Sequence, residues 1–336
     1  MKKLTEVERL LVDLVNIESI SGNELKACDY VYNYLKKHGF KLVKIPVHKR
    51  GYNIMAEVGK PRVYLSAHLD TVPPFFPAKA TDKEITGRGV IDAKGSAAAM
   101  LVAAVASKIQ GLTNFGLLFT VEEETECSGA RKIAEKRIKL PFVVVGEPTN
   151  SKLLDSNWGL FEARLVATAK PSYGSTGQGP LDAVDKLMKA LNLLYAEFLD
   201  RKLFPKTAVY NISTITAGQG RNTAPARAEA LLDFTIPPGS KLDYLKTTKK
   251  LLGKYVRVEH LITWPAVKFK VPKELNFLPR SEAGNFSTDL SFLGSPGVIL
   301  GPGMLERAHT PKERISRKEL EKAVKAYYKI IENYQS

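Results

Sequence analysis

The chain has 336 residues, enough for more than one compact unit, and its 44% hydrophobic and 25% charged residues are the balance of a globular protein. Lys and Arg total 50 against 35 Asp and Glu, a formal net charge of +15 that favours acidic partners; no helix-turn-helix, zinc-finger or RNA-binding signature accompanies it, so nucleic-acid binding is not expected. Two cysteines, Cys28 and Cys127, exclude a disulfide framework and a thiolate metal site, and no apolar run reaches the roughly 20 residues that cross a bilayer. A reducing cytoplasm is the expected compartment.

The first predicted element is an amphipathic helix in MKKLTEVERLLVDLVNIES, whose Leu and Val recur at helical intervals among Glu and Asp, unlike a signal peptide. The strand-like run RVYLSAH follows, then a helix after Lys94 in SAAAMLVAAVASKIQ, the strand FGLLFTVEEE, the helix SGARKIAEKRI and the strand FVVVGEP. The run GVILGPG and an amphipathic helix, RKELEKAVKAYYKIIENY, close the chain. Strands alternating with helices predict an α/β fold, a mostly parallel sheet with helices on both faces.

Residues 158–270 have a different pattern: an extended piece (GLFEARLVATAK), a Gly/Ser/Pro-rich loop (PSYGSTGQGP) and a helix (LDAVDKLMKALNLLYAEFL). Strand-like runs around AVYNISTITAG and AEALLDFTIPP, the helix KLDYLKTTKKLLGKY and a last strand, VRVEHLI, complete it. Two helices against a small antiparallel sheet predict an inserted α+β domain, with 1–157 and 271–336 forming the domain that surrounds it.

Each strand of the outer domain ends in acids or His. His68 and Asp70 follow the first; Asp92 sits in GRGVIDAKGS; Glu122, Glu123 and Glu124 follow the second; Glu147 lies in VGEPTN and His309 in ERAHTPKERI. Open parallel sheets bind ligands beyond the carboxyl ends of their strands. Several carboxylates gathered there repel one another unless cations neutralise them, and a mixed His and carboxylate set suits zinc or a similar divalent ion. Taken singly, a His is more often a core or surface residue and an acidic triplet a solvated loop; the joint placement is what points to a site.

In this order and spacing, HLDTVP, GRGVIDAKGS, the Glu cluster followed by GA, GEP, and a late His with Glu four residues on resemble the acetylornithine deacetylase / succinyl-diaminopimelate desuccinylase / carboxypeptidase G family of dinuclear zinc hydrolases. Within it, the short length and the ending GPGMLERAHTPKERIS are most similar to the archaeal-type hydrolase that releases lysine or ornithine from the amino-group carrier protein LysW. The resemblance implies a zinc-peptidase-like catalytic domain with an inserted domain that serves as lid and homodimer contact. It also implies two Zn2+ ions, for which Co2+ substitutes, and an amide hydrolysed by metal-activated water.

By the same resemblance, His68 and Glu147 hold one ion, Glu124 and His309 the other, and Asp92 bridges them. Asp70 orients His68 by accepting its second ring N–H, and a cis peptide follows Asp92. Counting back from Ser128-Gly129-Ala130 makes Glu123 the general base, with Glu122 the competing choice. Asn222 in GRNTAP matches a substrate contact, and Gly301 and Gly303, like GNFSTDL, are expected to line the cleft. Two positions depart from the family pattern: Tyr173 in KPSYGST stands where an oxyanion-stabilising His is usual, and Pro237 in DFTIPPG where an Arg binds substrate carboxylate. A neutral phenol donates a hydrogen bond but no positive charge. The positive surface suits an acidic carrier as substrate; a small acyl-amino acid or peptide is the alternative substrate, and a metal-retaining, non-catalytic binding protein the alternative of another class.

Overall fold

The structure, a computed structural model, describes residues 3–170, 172–173, 181–218, 220–281 and 286–335, with only the backbone of Ser172 and Tyr173. The chain forms two compact units, one of Met1–Asn157, Lys268–Gly284 and Thr288–Ser336, the other of Trp158–Val267 with Asn285–Ser287. The second junction thus falls three residues before the 270/271 boundary drawn from sequence. Lys268 and Phe269 already belong to the first unit, and the Phe269 amide donates to the Asp155 carbonyl there.

The first unit begins with α1 (Glu6–Asn16), α2 (Leu25–Lys37), β1 (Lys41–His48), β2 (Gly51–Val58) and β3 (Val63–His68). It continues with α3 (Lys94–Ile109), β4 (Phe115–Thr120), α4 (Ser128–Glu135) and β5 (Val143–Val145). The second unit holds β6 (Gly159–Thr168), α5 (Ala183–Asp200), β7 (Tyr210–Ala217), β8 (Arg227–Ile236), α6 (Tyr244–Leu252) and β9 (Arg257–Trp264). The chain then returns to the first unit for β10 (Gly297–Ile299) and α7 (Arg317–Asn333).

The first unit's six-stranded sheet has the order β1-β2-β4-β3-β5-β10. Its β4, β3, β5 and β10 run parallel, while β1 and β2 form an antiparallel margin. Period-two alternation sends Val63, Leu65 and Ala67 into a core shared with α1, α3 and α7, and so turns Tyr64, Ser66 and His68 to the opposite face. On that face Asn53 of β2 donates to the Gly129 carbonyl of α4, which places a helix on the second side. Both faces being covered explains why β3 and β4 are buried at every position. The Ala-rich α3 is apolar around most of its circumference because it is enclosed by β3, β4, α1 and α7. Reciprocal capping boxes, Thr5 with Glu8 and Ser316 with Glu319, start α1 and α7 by satisfying amides that have no partner within the helix.

Sequence reading passes over α2, β1 and β2. In β1 the exposed Lys41, Lys44 and Pro46 break the apolar pattern, as suits a sheet edge protected against further pairing. In the second unit the sheet is antiparallel throughout, order β7-β8-β6-β9. Ala228, Ala230, Leu232, Phe234 and Ile236 alternate inward along β8 and pack with Phe161, Leu187, Leu194, Phe198 and Tyr244 from β6, α5 and α6. Among the described residues, no helix is long and apolar enough to cross a membrane.

Candidate metal centre

Register brings the strand ends level. His68 pairs with Thr120 across β3 and β4, and Ser66 with Val145 across β3 and β5. The residues just past those ends, Asp70, Glu123, Glu124 and Glu147, therefore emerge at one margin of the sheet. Asp92 joins them from the turn that opens α3, after which the Asp92–Ala93 peptide is cis.

His68 is buried, and its Nε2 lies 3.0 Å from Asp92 Oδ1 and 3.9 Å from Glu147 Oε2. The other oxygen of Asp92, Oδ2, lies 3.2 Å from His309 Nε2, which in turn is 3.0 Å from Glu124 Oε2. One carboxylate thus faces two histidines through different oxygens. One donor atom each from His68, Asp92 and Glu124 falls within 4.8 Å of the others.

Asp70 has a broader role than the expected one. His68 Nδ1 approaches the Asp70 backbone carbonyl at 3.1 Å and its carboxylate Oδ1 at 3.4 Å, so the carbonyl is the nearer acceptor. The carboxylate instead accepts the amides of Glu123 and Glu124, each at 3.1 Å, and the Ser21 hydroxyl at 2.8 Å. It ties the acidic turn to the end of β3.

The three consecutive glutamates diverge. Glu122, at φ 55, turns the chain, and its carboxylate lies 3.8 Å from His48 Nε2, away from the cluster. Glu124 meets His309. Glu123 is buried, and its carboxyl makes no hydrogen bond or ion pair with the described residues.

Burial pushes the Glu123 and Glu147 carboxyls well above the usual range, and neighbouring acids add to the effect; burial raises Glu124 in the same way. For Asp92 burial acts in the same sense, but His309 and His68 outweigh it and hold the carboxylate low. Burial would likewise strip His68 of its proton, yet Glu147, Asp70 and Asp92 prevail and raise its pKa. Hydrogen bonds to Asp92 and Glu124 raise half-exposed His309 to about 10. Such a set holds protons where it lacks cations. The donor types suit divalent ions, and Glu147 Oε1 is buried without a hydrogen-bond partner among the described residues, an acceptor that an ion would satisfy. The residues present fit a metal.

Gly301 and Gly303 follow β10 and press on the segments that carry Glu147 and Asp92. A Cβ on Gly301 would sit 2.3 Å from the Glu147 carbonyl oxygen, and one on Gly303, at φ +88, would sit 2.4 Å from Ile91 next to Asp92. Asn222, exposed at φ 58, and Pro237 lie in the second unit. The Tyr173 backbone pairs there with Thr223, and its side chain lies outside the described residues. Sequence reasoning did not single out Asp289, a buried carboxyl that accepts from Thr120 Oγ1 and that burial raises to about 6. Its only signal was the stretch GNFSTDL.

A probable carboxypeptidase of Aspergillus niger is 30% identical over 95% of this chain and 88% of its own length. The fold matches that of aminopeptidase PepT from Bacillus cereus with a TM-score of 0.83, at 18% identity over 98% of both chains. It also matches an M20 family metallo-carboxypeptidase from Sulfolobus solfataricus with a TM-score of 0.78, at 18% identity over 99% of this chain and 100% of the other. The profile of peptidase family M20/M25/M40 matches residues 64–333, and with the strand-end cluster of His and carboxylates in place the chain belongs to that family.

Proposed function

We propose that the chain hydrolyses amide bonds of small peptides or acyl-amino acids at a two-ion centre, with Glu123 carrying the proton. The observation that carries this reading is Asp92, whose two carboxylate oxygens face His68 and His309 separately, beside a buried and unengaged Glu123. His68 and Glu147 would hold one ion, Glu124 and His309 the other, and Asp92 both. Two divalent ions of the zinc class supply, when bound, a Lewis acid for the amide carbonyl and a lowered pKa for water.

Glu123 takes a proton from the attacking water as its oxygen bonds to the carbonyl carbon. It returns that proton to the amide nitrogen as the C–N bond breaks, leaving a carboxylic acid and an amine. Burial suits this task, because a carboxyl pushed above the usual range accepts a proton more readily. Asp70 keeps the base aligned through the Glu123 amide and fixes the His68 ring from the other side. Tyr173 and Asn222 are assigned to substrate contact in this reading, and a homodimer formed through the second unit belongs to it.

A second reading, release of lysine or ornithine from the acidic carrier LysW, is favoured by the net charge of +15, which would speed encounter with an acidic protein. One panel tests both: protein with added zinc or cobalt, assayed for free amine on dipeptides, acetyl-lysine, acetyl-ornithine and carrier-linked lysine. Turnover on the small substrates supports the first reading. Salt-sensitive release from the carrier alone supports the second, and two bound ions with no turnover on any substrate support a non-catalytic binding protein.

A further inference from the structure

Away from the ligands, three segments of the first unit meet at one buried ion pair. Arg88 Nη1 lies 2.8 Å from Glu313 Oε2, with the two side chains 2% and 0% exposed. The second oxygen, Glu313 Oε1, accepts the Ile91 amide at 3.2 Å, one residue before Asp92. Arg88 Nε donates to the Pro74 carbonyl at 3.3 Å, on the loop that leaves His68 and Asp70. The backbone strengthens the junction, because Arg314–Ser316 pairs antiparallel with Glu84–Thr86 just before Arg88.

Such a pair is weak evidence for stability, since desolvating two charges offsets most of their attraction. Its connections point to another role. His309 lies at φ 61 with its side chain 51% exposed, and the residues that follow, Pro311 and Lys312, are exposed as well. Glu313 is the first buried residue after His309, and it bonds directly to the amide that precedes Asp92. His68 and Glu147, by contrast, are placed by the pairing of β3 with β5.

We propose that Arg88 and Glu313 are a positioning pair that sets the distance between Asp92 and His309, and so bears more on the ion site of Glu124 and His309 than on that of His68 and Glu147, which shares only Asp92 with it. The assignment rests on the two-ion reading above. Glu313 holds the Asp92 loop and the His309 segment together through one carboxylate, and Arg88 keeps that carboxylate oriented and joined to the loop after β3.

The test is stepwise zinc or cobalt uptake by calorimetry and metal analysis, with thermal unfolding in parallel, on wild type, Glu313→Gln and the double variant Arg88→Met/Glu313→Leu. The double variant removes both buried charges, so it loses the acceptor of the Ile91 amide without leaving an unpaired buried charge. The expected result is selective. One of two uptake steps weakens roughly 10–100-fold, the range for residues that orient ligands, the other weakens clearly less, and the apo double variant unfolds within a few degrees of wild type. Glu313→Gln, which can still accept from Ile91, recovers part of the affinity. Equal weakening of both steps, no weakening, or an affinity loss that only tracks unfolding overturns the assignment. Wild type that takes up fewer than two ions overturns the two-ion reading and the pair's role with it.

Discussion

His68 and Glu147 stand at the ends of adjacent parallel strands, both buried, their separation set by hydrogen bonds between β3 and β5. Glu124 sits on a single helical turn, Glu123–Glu126, and His309 on an irregular segment, where it is half exposed. Backbone pairing builds the first half of the centre. The second half is assembled by side chains: Asp70 grips the acidic turn through two amides, and Glu313 grips the Asp92 loop. A side chain placed by a sheet is as rigid as the fold, whereas one placed by other side chains can be loosened without unfolding anything.

The largest expected effect tests the centre as a whole. Glu123→Gln keeps the shape and the neighbouring ligands but cannot take a proton; turnover should fall about 10²–10⁴-fold, with two ions still bound by metal analysis. Loss of an ion would move the base assignment to another glutamate.

The next experiment separates the halves. His309→Ala should weaken one ion by roughly 100-fold with little change in thermal unfolding, whereas His68→Ala, at a buried strand end, should lower both ion content and unfolding temperature. Equal behaviour of the two variants would erase the distinction.

Chelation gives a smaller, pH-dependent signal. In the metal-free protein Glu123, Glu124, Glu147, His68 and His309 all have raised pKa values, so the folded state binds extra protons. Stability from these groups is present at low pH and is lost as pH rises through their folded values. Chelation should therefore lower the unfolding temperature more at pH 8.5 than at pH 6, and metal uptake should release protons.

The smallest effect lies behind the acidic turn. Burial raises Glu24 to about 7, and its Oε2 is 3.1 Å from His48 Nε2, the ring that faces Glu122. Its contribution is present below the ordinary value of 4.5 and is lost as pH rises through about 7. Glu24→Gln should hold the neutral form at all pH values and gain about 2 °C over wild type between pH 5 and 8, by thermal unfolding. A constant offset across that range would remove Glu24 from the titration.

The sheet-built half was also the half most legible from sequence. VYLSAH, FGLLFT, VVV and GVI announce buried strands by composition, and their polar sequels announce the site. The edge strand β1 was hidden because lysines and a proline interrupt it. Of the side-chain ties, the Arg88–Glu313 contact spans 225 positions along the chain, and no local pattern encodes a contact at that separation. The nearer acceptor for His68 was missed for another reason: it is a backbone carbonyl, which every residue carries. The run of three glutamates was ambiguous until the left-handed turn at Glu122 separated their directions.

The second unit leaves the sheet after β5 and returns before β10, and these two strands are parallel neighbours. Leu154 exchanges both backbone hydrogen bonds with Ile299, and Phe269 is bonded to Asp155, so the exit and the return are stapled to each other within the first unit. The excursion is therefore a cassette plugged into a closed frame. The sheet therefore keeps its register across the excursion, whatever the length of chain between the two staples.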